Sequence, residues 1–488
     1  MIIEAVLALE SATGPGRDGE LVTGRFPRAA SPAGPGRRTR EGVVIAAAGT
    51  EGGTGATAAS ATVAEKWSAT RLASVAVSYA LFVVFGISAG VGGVLLPAQM
   101  ADYGVDEATI GATFFTSAAG YVIASSLTGP IVGRLGTRRM LLGFGALLLC
   151  AWLFTSTRPP FLVFVVLSLL MGFATGLLEC VLNVYLTARP GSTALLNRLH
   201  AFFGVGALIG PLLAAWLLTF TGWPTVMLVL AVVTAPTLLA AAVTFPAPAA
   251  DPLLTASAPP DGSTGSAAGG GGRPAAGLPA VLRQPAVLLG AGMLAVYVGL
   301  EIAVGNWGYT YLVEERSVSG LLAGYTTSGY WLGLTAGRFL TTPVTARLRL
   351  TQTGLMYACM AGTTVAGVLA WAAPGTAGLA SAAFLLLGFF LGPIFPTAMA
   401  VTPRLTSAGL VPTAIGVLTA GGLVGGALLP WLAGTLLQVA GAWTLFPFAI
   451  LLALAQLALW WRVARRIADT SAPSIAASPE VQITLPGP

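Results

Sequence analysis

The sequence predicts an all-α membrane protein: twelve transmembrane helices in two pseudo-symmetric six-helix bundles, with both termini cytoplasmic. Three observations carry this. The chain of 488 residues is 55% hydrophobic and only 9% charged, whereas a soluble domain carries about 25% charged residues. Its apolar runs have the length of about 20 residues that a helix needs to cross a bilayer, without the period-two alternation of barrel strands. The arginines collect on one side of these runs.

The apolar runs cover 71–97, 108–129, 139–156, 161–187, 199–220 and 223–245, then 284–313, 320–342, 351–373, 376–402, 408–438 and 441–463. Between the two sets lies 246–281, whose Pro, Gly, Ser and Ala give it the composition of a flexible linker. Residues 1–67 lack periodicity and read as disordered, and 467–488 form a polar, Pro-rich tail. The bundles are therefore expected at 68–245 and 282–466. No secretory signal is visible, since Met1 to Glu10 has no basic stretch and Glu4 breaks its apolar run.

Orientation follows from the arginines. With a cytoplasmic N-terminus, Arg134, Arg138, Arg139, Arg189, Arg198, Arg273, Arg283, Arg338, Arg347, Arg349, Arg404, Arg462, Arg465 and Arg466 all fall inside. Only Arg158 and Arg316 fall outside, as the positive-inside rule requires. The net charge of +6 reflects this bias and does not point to nucleic acid. The three cysteines, Cys150, Cys180 and Cys359, lie inside apolar runs and fit neither a metal site nor a disulfide framework. No Gly-Lys-Ser/Thr phosphate loop and no catalytic constellation is present, so no enzyme, cofactor, metal or ATP drive is expected.

The halves match each other weakly. Phe85 to Gly92 aligns with Val298 to Gly305, Gly120-Tyr121 with Gly329-Tyr330, and Gly172…Gly176 with Gly388…Gly392, at offsets of 213, 209 and 216. Parallel repeats of this kind place a substrate site near the midplane, between the halves.

Two carboxylates interrupt the apolar runs, Glu179 in span 4 and Glu301 in span 7. A charge there costs roughly 2.5–3.5 kcal/mol on insertion scales, so such residues mark a wet cavity, a partner or a proton pathway. Both are candidates for proton coupling. Asn183 lies one turn from Glu179, on a face continued by Gly172 and Gly176, and is a candidate substrate contact whose amide can hydrogen-bond that carboxyl. Glu179 reads either as a switch or as a structural carboxyl bonded to span 1 or 5. Span 7 adds Tyr297, Asn306 and Trp307 as candidate substrate contacts beside Glu301, while Tyr309 and Tyr311 suit an interfacial aromatic belt. Asn306 aligns with Gly93 in the repeat and is expected beside the cavity. His200, the only histidine, reads as a pH-sensitive gate or as a tie from span 5 to the inner loops. Arg338 reads as an interfacial anchor or as a gate partner for a carboxylate.

The loop after span 2, Gly129-Pro-Ile-Val-Gly133-Arg134-Leu-Gly136-Thr-Arg138-Arg139, resembles the signature loop of the major facilitator superfamily, with Gly133 in place of its acidic residue. Its glycines are expected to allow a tight turn and close helix approach, and its arginines to bind helix ends. Gly176-Leu-Leu-Glu179-Cys-Val-Leu-Asn183, Asn197-Arg-Leu-His200 and Gly392-Pro-Ile-Phe-Pro396 resemble the fucose–proton symporter branch and its sodium-dependent glucose transporter-like relatives. The resemblance implies a secondary transporter in the cytoplasmic membrane, working as a monomer by alternating access. It implies import of a sugar or similar small polar solute with a proton or sodium ion, Glu179 being the proton-sensitive group. The branch's span-1 Asp is replaced by Gly93, leaving Glu301 as the expected substitute. Gly206-Ala-Leu-Ile-Gly210-Pro211 resembles the core of a span-5 antiporter motif, so a proton-coupled exporter of hydrophobic compounds is the alternative.

Overall fold

Every element among the described residues is helical, as chains must be where bilayer hydrocarbon offers the backbone no partner. The structure, a computed structural model, describes residues 54–189, 192–245, 274–372 and 377–471. The first half comprises α1 (Thr54–Tyr103), a short α2 (Glu107–Ile110), α3 (Ala112–Thr155), α4 (Phe161–Thr187), α5 (Ser192–Leu217) and α6 (Trp223–Thr244). The second comprises α7 (Pro274–Leu282), α8 (Pro285–Thr310), α9 (Gly320–Leu348), α10 (Gln352–Ala372), α11 (Ala377–Leu391), α12 (Ile394–Val401), α13 (Val411–Ala440) and α14 (Leu445–Ser471). Up to Ala76, α1 belongs to a first unit; Val77 onwards forms a second unit, which holds all the contacts described below.

Eleven segments among the described residues are long and apolar enough to cross a membrane. The twelfth is α9, long enough at 29 residues but diluted by threonines, glycines and Arg338. The boundaries differ from the sequence reading at several points. α1 begins at Thr54, inside the segment read as disordered, and α7 occupies the end of the expected linker. The rest of 1–67, of 246–281 and of the tail lies outside the described residues. Spans 2 and 3 run together as α3, broken only at Gly136, whose φ of 75° suits glycine alone. Span 10 divides into α11 and α12 at Pro393, which has no N–H to continue the ladder.

Glycines seat the helices in repeating pairs. Gly206 and Gly210 of α5 press on the α1 backbone at Val83, Ile87 and Gly90; Gly421 and Gly425 of α13 press on α8 at Ala291 and Ala295. Likewise Gly172 of α4 meets Ser117 of α3, and Gly388 of α11 meets Tyr330 of α9. Close backbone approach of this sort is the main attraction open to helices in lipid, where apolar surface gains nothing by leaving the tails.

One face of the molecule carries Asp102 and Asp106. There Asp102 accepts from Trp223 Nε1 at 2.9 Å and pairs with Arg158 at 3.4 Å. The arginine-rich ends lie opposite. The halves meet mainly along α5 and α9, and where α2 and the start of α3 touch α13. Gly324 abuts Ala215, and Gly111 abuts Trp431. Gln438 of α13 clasps the other half: its Nε2 donates to Asp106 Oδ2 at 2.8 Å and its Oε1 accepts from Ala108 N at 3.3 Å. The Asp106 face is thus closed.

Asp106 also caps α2, its Oδ1 accepting from Thr109 N at 2.8 Å. These bonds, Thr109 foremost, hold its carboxyl below its ordinary pKa. A depressed carboxylate contributes above the ordinary range and loses its contribution as pH falls through the lowered pKa. Acidification, or Asp106→Ala at neutral pH, should therefore shrink the closed population. Spin-label distances between α2 and α13 check this; a distribution that ignores both changes would show the clasp to be idle.

Candidate functional site

Arg338 and Glu301 form an ion pair inside the second half. Nη2 of Arg338 on α9 stands 3.5 Å from Oε1 of Glu301 on α8. Around them Tyr330 donates from its hydroxyl to the Glu301 carbonyl at 2.9 Å. Tyr297, one turn from Glu301, is buried close enough to feel both charges, its hydroxyl making no well-formed bond to either. Of the two readings of Arg338, the partner of a carboxylate is the one the structure shows. The sequence put Arg338 near a helix end because span 8 was cut at residue 342. α9 continues to Leu348, ten residues beyond Arg338, about 15 Å along the axis. Arg347 and Arg349 mark the real end, and that was the available signal.

The pair faces the other half. Gly204 of α5 rests on the side chain of Thr335 of α9. One turn back along each antiparallel helix lie His200 and Arg338, and the Arg338 charge acts on His200. His200 also presents its ring edge-on to Phe82 of α1, centroids 5.6 Å apart. It thus lies within reach of the Arg338 charge, across the boundary between the halves. Asn197, one turn earlier, is exposed.

Glu179 is held separately. Tyr121 of α3 donates to its Oε2 at 3.1 Å, a partner from span 2 and not from span 1 or 5. The expected pairing with Asn183 is not formed: Asn183 Nδ2 donates to the Glu179 carbonyl at 2.9 Å. Gly172 and Gly176, on the same face, are filled by α3.

Trp307 is not open to a ligand. Its ring is fully buried (0% exposed), Nε1 donates to Pro430 O at 2.7 Å, and Phe114 meets it edge-on. The role read from its sequence neighbourhood gives way to bracing α8 against α13 and the first half. Tyr309 and Tyr311 are buried too, Tyr311 bonding Ala370 O at 3.2 Å and receiving Arg316 at 2.7 Å, so they form no lipid-facing belt. Trp307→Phe should cost about 1 kcal/mol for the lost hydrogen bond, and Trp307→Ala about 3–5 kcal/mol. Thermal unfolding in detergent measures both; unchanged melting with a raised KM would restore the ligand role.

Gly93 and Asn306, paired by the repeat, touch in space. A Cβ on Gly93 would stand 2.6 Å from the carbonyl oxygens of Gly305 and Asn306. The branch's Asp has no room here in this state. Asn306 is half-buried, its Oδ1 facing Gly92. In the signature stretch, Gly129 and Gly133 have open space around them, and Gly136 alone needs to be glycine. Arg134 and Arg139 are exposed and Arg138 half-buried.

Comparisons agree with this architecture. "Bypass of stop codon protein 6" of Saccharomyces cerevisiae is 26% identical over 384 residues, covering 74% of this chain and 76% of the yeast protein. The crystal structure of the nucleoside transporter NupG superposes with a TM-score of 0.62 at 14% identity, over 81% of this chain and 98% of that one. FucP, a major facilitator transporter crystallised in the outward conformation, gives 0.52 at 19% identity, over 80% and 98%. A family model described as Major Facilitator Superfamily matches residues 77–355, more than half of the chain. With twelve spans in two glycine-seated halves, the chain belongs to the Major Facilitator Superfamily, a family of multi-pass membrane transporters.

Proposed function

We propose that this transporter imports a sugar, or a solute of similar size and polarity, by proton or sodium symport across the cytoplasmic membrane, acting as a monomer. The observation that carries the reading is the Glu301–Arg338 pair, set between two membrane helices and facing α5 of the other half. A carboxylate beside a fixed cation is a switch: neutralising it by a proton or a sodium ion releases the arginine and changes the field across the interface. Read with the arginine bias, the closed Asp106 face is extracellular and this state is inward-facing. Rocking of the halves would then part α1 from α8 and open the other side. Glu179, bonded to Tyr121, is a second protonation site in the first half.

The exporter reading drew on Gly206, Gly210 and Pro211. Those glycines seat α5 on α1 as Gly421 and Gly425 seat α13 on α8, so helix packing accounts for them.

The test is uptake of radiolabelled monosaccharides into proteoliposomes under an inward proton or sodium gradient, for wild type, Glu301→Gln and Glu179→Gln. Gradient-driven accumulation lost in Glu301→Gln and weakened less in Glu179→Gln supports symport through the Glu301–Arg338 pair. Accumulation with neither ion would overturn the sugar reading, and efflux of lipophilic cations would then decide for export.

A further inference from the structure

We infer that the solute carries a carboxylate, and that Arg338 binds it once Glu301 has taken up a proton. The inference rests on the transport role proposed above for this pair.

The pair is loose. One nitrogen of Arg338 meets one oxygen of Glu301 at 3.5 Å, where guanidinium and carboxylate often share two bonds near 2.8 Å. The Arg338 side chain is 33% accessible against 13% for Glu301, so it is the more open of the two. A guanidinium has five N–H donors in a planar fork, accepts nothing and keeps its proton. That fork matches a carboxylate, and it is only partly used by Glu301.

The surroundings sharpen this. The ionisable groups that act on Arg338 or lie across from it are Glu301 and Tyr297 on α8, Tyr330 on α9 and His200 on α5. Glu301 is the one carboxylate among them. Tyr330 has committed its hydroxyl to the Glu301 carbonyl. Tyr297, 1% exposed, sits beside both charges, and its hydroxyl makes no well-formed hydrogen bond to either.

Protonating Glu301 therefore removes the one carboxylate that, among the described residues, acts on Arg338, and an uncompensated cation within the membrane is expensive. A solute carboxylate restores the balance; a neutral sugar cannot. The bookkeeping closes for a monocarboxylate. A proton enters onto Glu301 Oε, one negative charge enters on the solute, and no net charge crosses. After the solute leaves, the proton departs to the cytoplasm and the pair re-forms.

The test is equilibrium binding to the purified full-length protein at pH 6 and pH 8, using two matched pairs of probes. These are D-gluconate with D-glucose, and 4-hydroxybenzoate with 4-hydroxybenzyl alcohol. At least one acid should bind at least tenfold more tightly than its neutral counterpart, more so at the lower pH. Arg338→Gln should erase that preference, Arg338→Lys should keep part of it, and Glu301→Gln should tighten acid binding several-fold and remove its pH dependence. Arg338→Lys guards against mere misfolding of the glutamine variant. Equal binding of acid and neutral probes, acid binding that survives Arg338→Gln, or no acid binding at all would overturn the inference. Proton-driven uptake of D-glucose lost in Glu301→Gln would leave the transport reading intact and overturn only the carboxylate. Acid binding without gradient-driven uptake of any probe would do the reverse.

Discussion

Gly93→Ala is expected to drive the protein out of the state closed at the Asp106 face and to lower uptake at least tenfold. The added Cβ would lie 2.6 Å from two backbone carbonyl oxygens, those of Gly305 and Asn306. Carbon and oxygen ordinarily come no closer than about 3.3 Å. Backbone atoms on both sides leave no rotamer to relieve the clash, so α1 and α8 must move apart. Overpacking of this size costs about 1–3 kcal/mol, which shifts a two-state equilibrium about 5–150-fold. The cost falls on one state of the cycle, because α1 keeps its seat on α5. The melting temperature should therefore change little while spin labels on α2 and α13 report a wider separation. Gly93→Asp, which would supply the carboxylate that the sugar branch carries there, should be worse than alanine. Wild-type distances and uptake in Gly93→Ala would show that the contact carries no part of the cycle.

Glu301→Gln is expected to abolish accumulation while leaving exchange of solute across the membrane. One proton per solute lets a pH difference of one unit sustain about tenfold accumulation, since 1.4 kcal/mol corresponds to a factor of ten. A glutamine cannot change charge, so the accumulation ratio should fall to about one at any imposed gradient. Glu179→Gln should be milder for the solute: the Tyr121 hydroxyl that donates to Glu179 Oε2 at 3.1 Å can donate equally to an amide oxygen. Parallel measurement of gradient-driven uptake and counterflow separates the two. Full accumulation in Glu301→Gln would remove the coupling role and leave the Arg338 pair as a structural feature.

How legible the site was depends on which residues are considered. Glu179 and Glu301 stood out because a carboxyl in an apolar run is costly wherever it points. The match of Gly93 with Asn306 was readable because the repeat keeps its register, and the two residues touch in the folded chain. Trp307 misled. An indole beside a Glu and an Asn suits a sugar site on paper, and no local pattern reveals that Pro430, 123 positions away, supplies the acceptor for its Nε1. Asn183 misled for a similar reason, since a side-chain amide on a helix can turn back to the carbonyl one turn earlier as easily as to a neighbouring carboxyl.

By itself the sequence determined the class of the protein: apolar length sets the number of spans, arginine placement sets the expected orientation, and glycine register reveals the duplicated half. These are properties of the chain against its solvent, each readable one segment at a time. Tertiary structure alone decided that Arg338 belongs to Glu301, that His200 faces them from the other half, and that the Asp106 face is shut. Those facts depend on which helices become neighbours and how far each turns about its axis. Pairing and rotation come from contacts between residues far apart in the chain, and no single segment contains them.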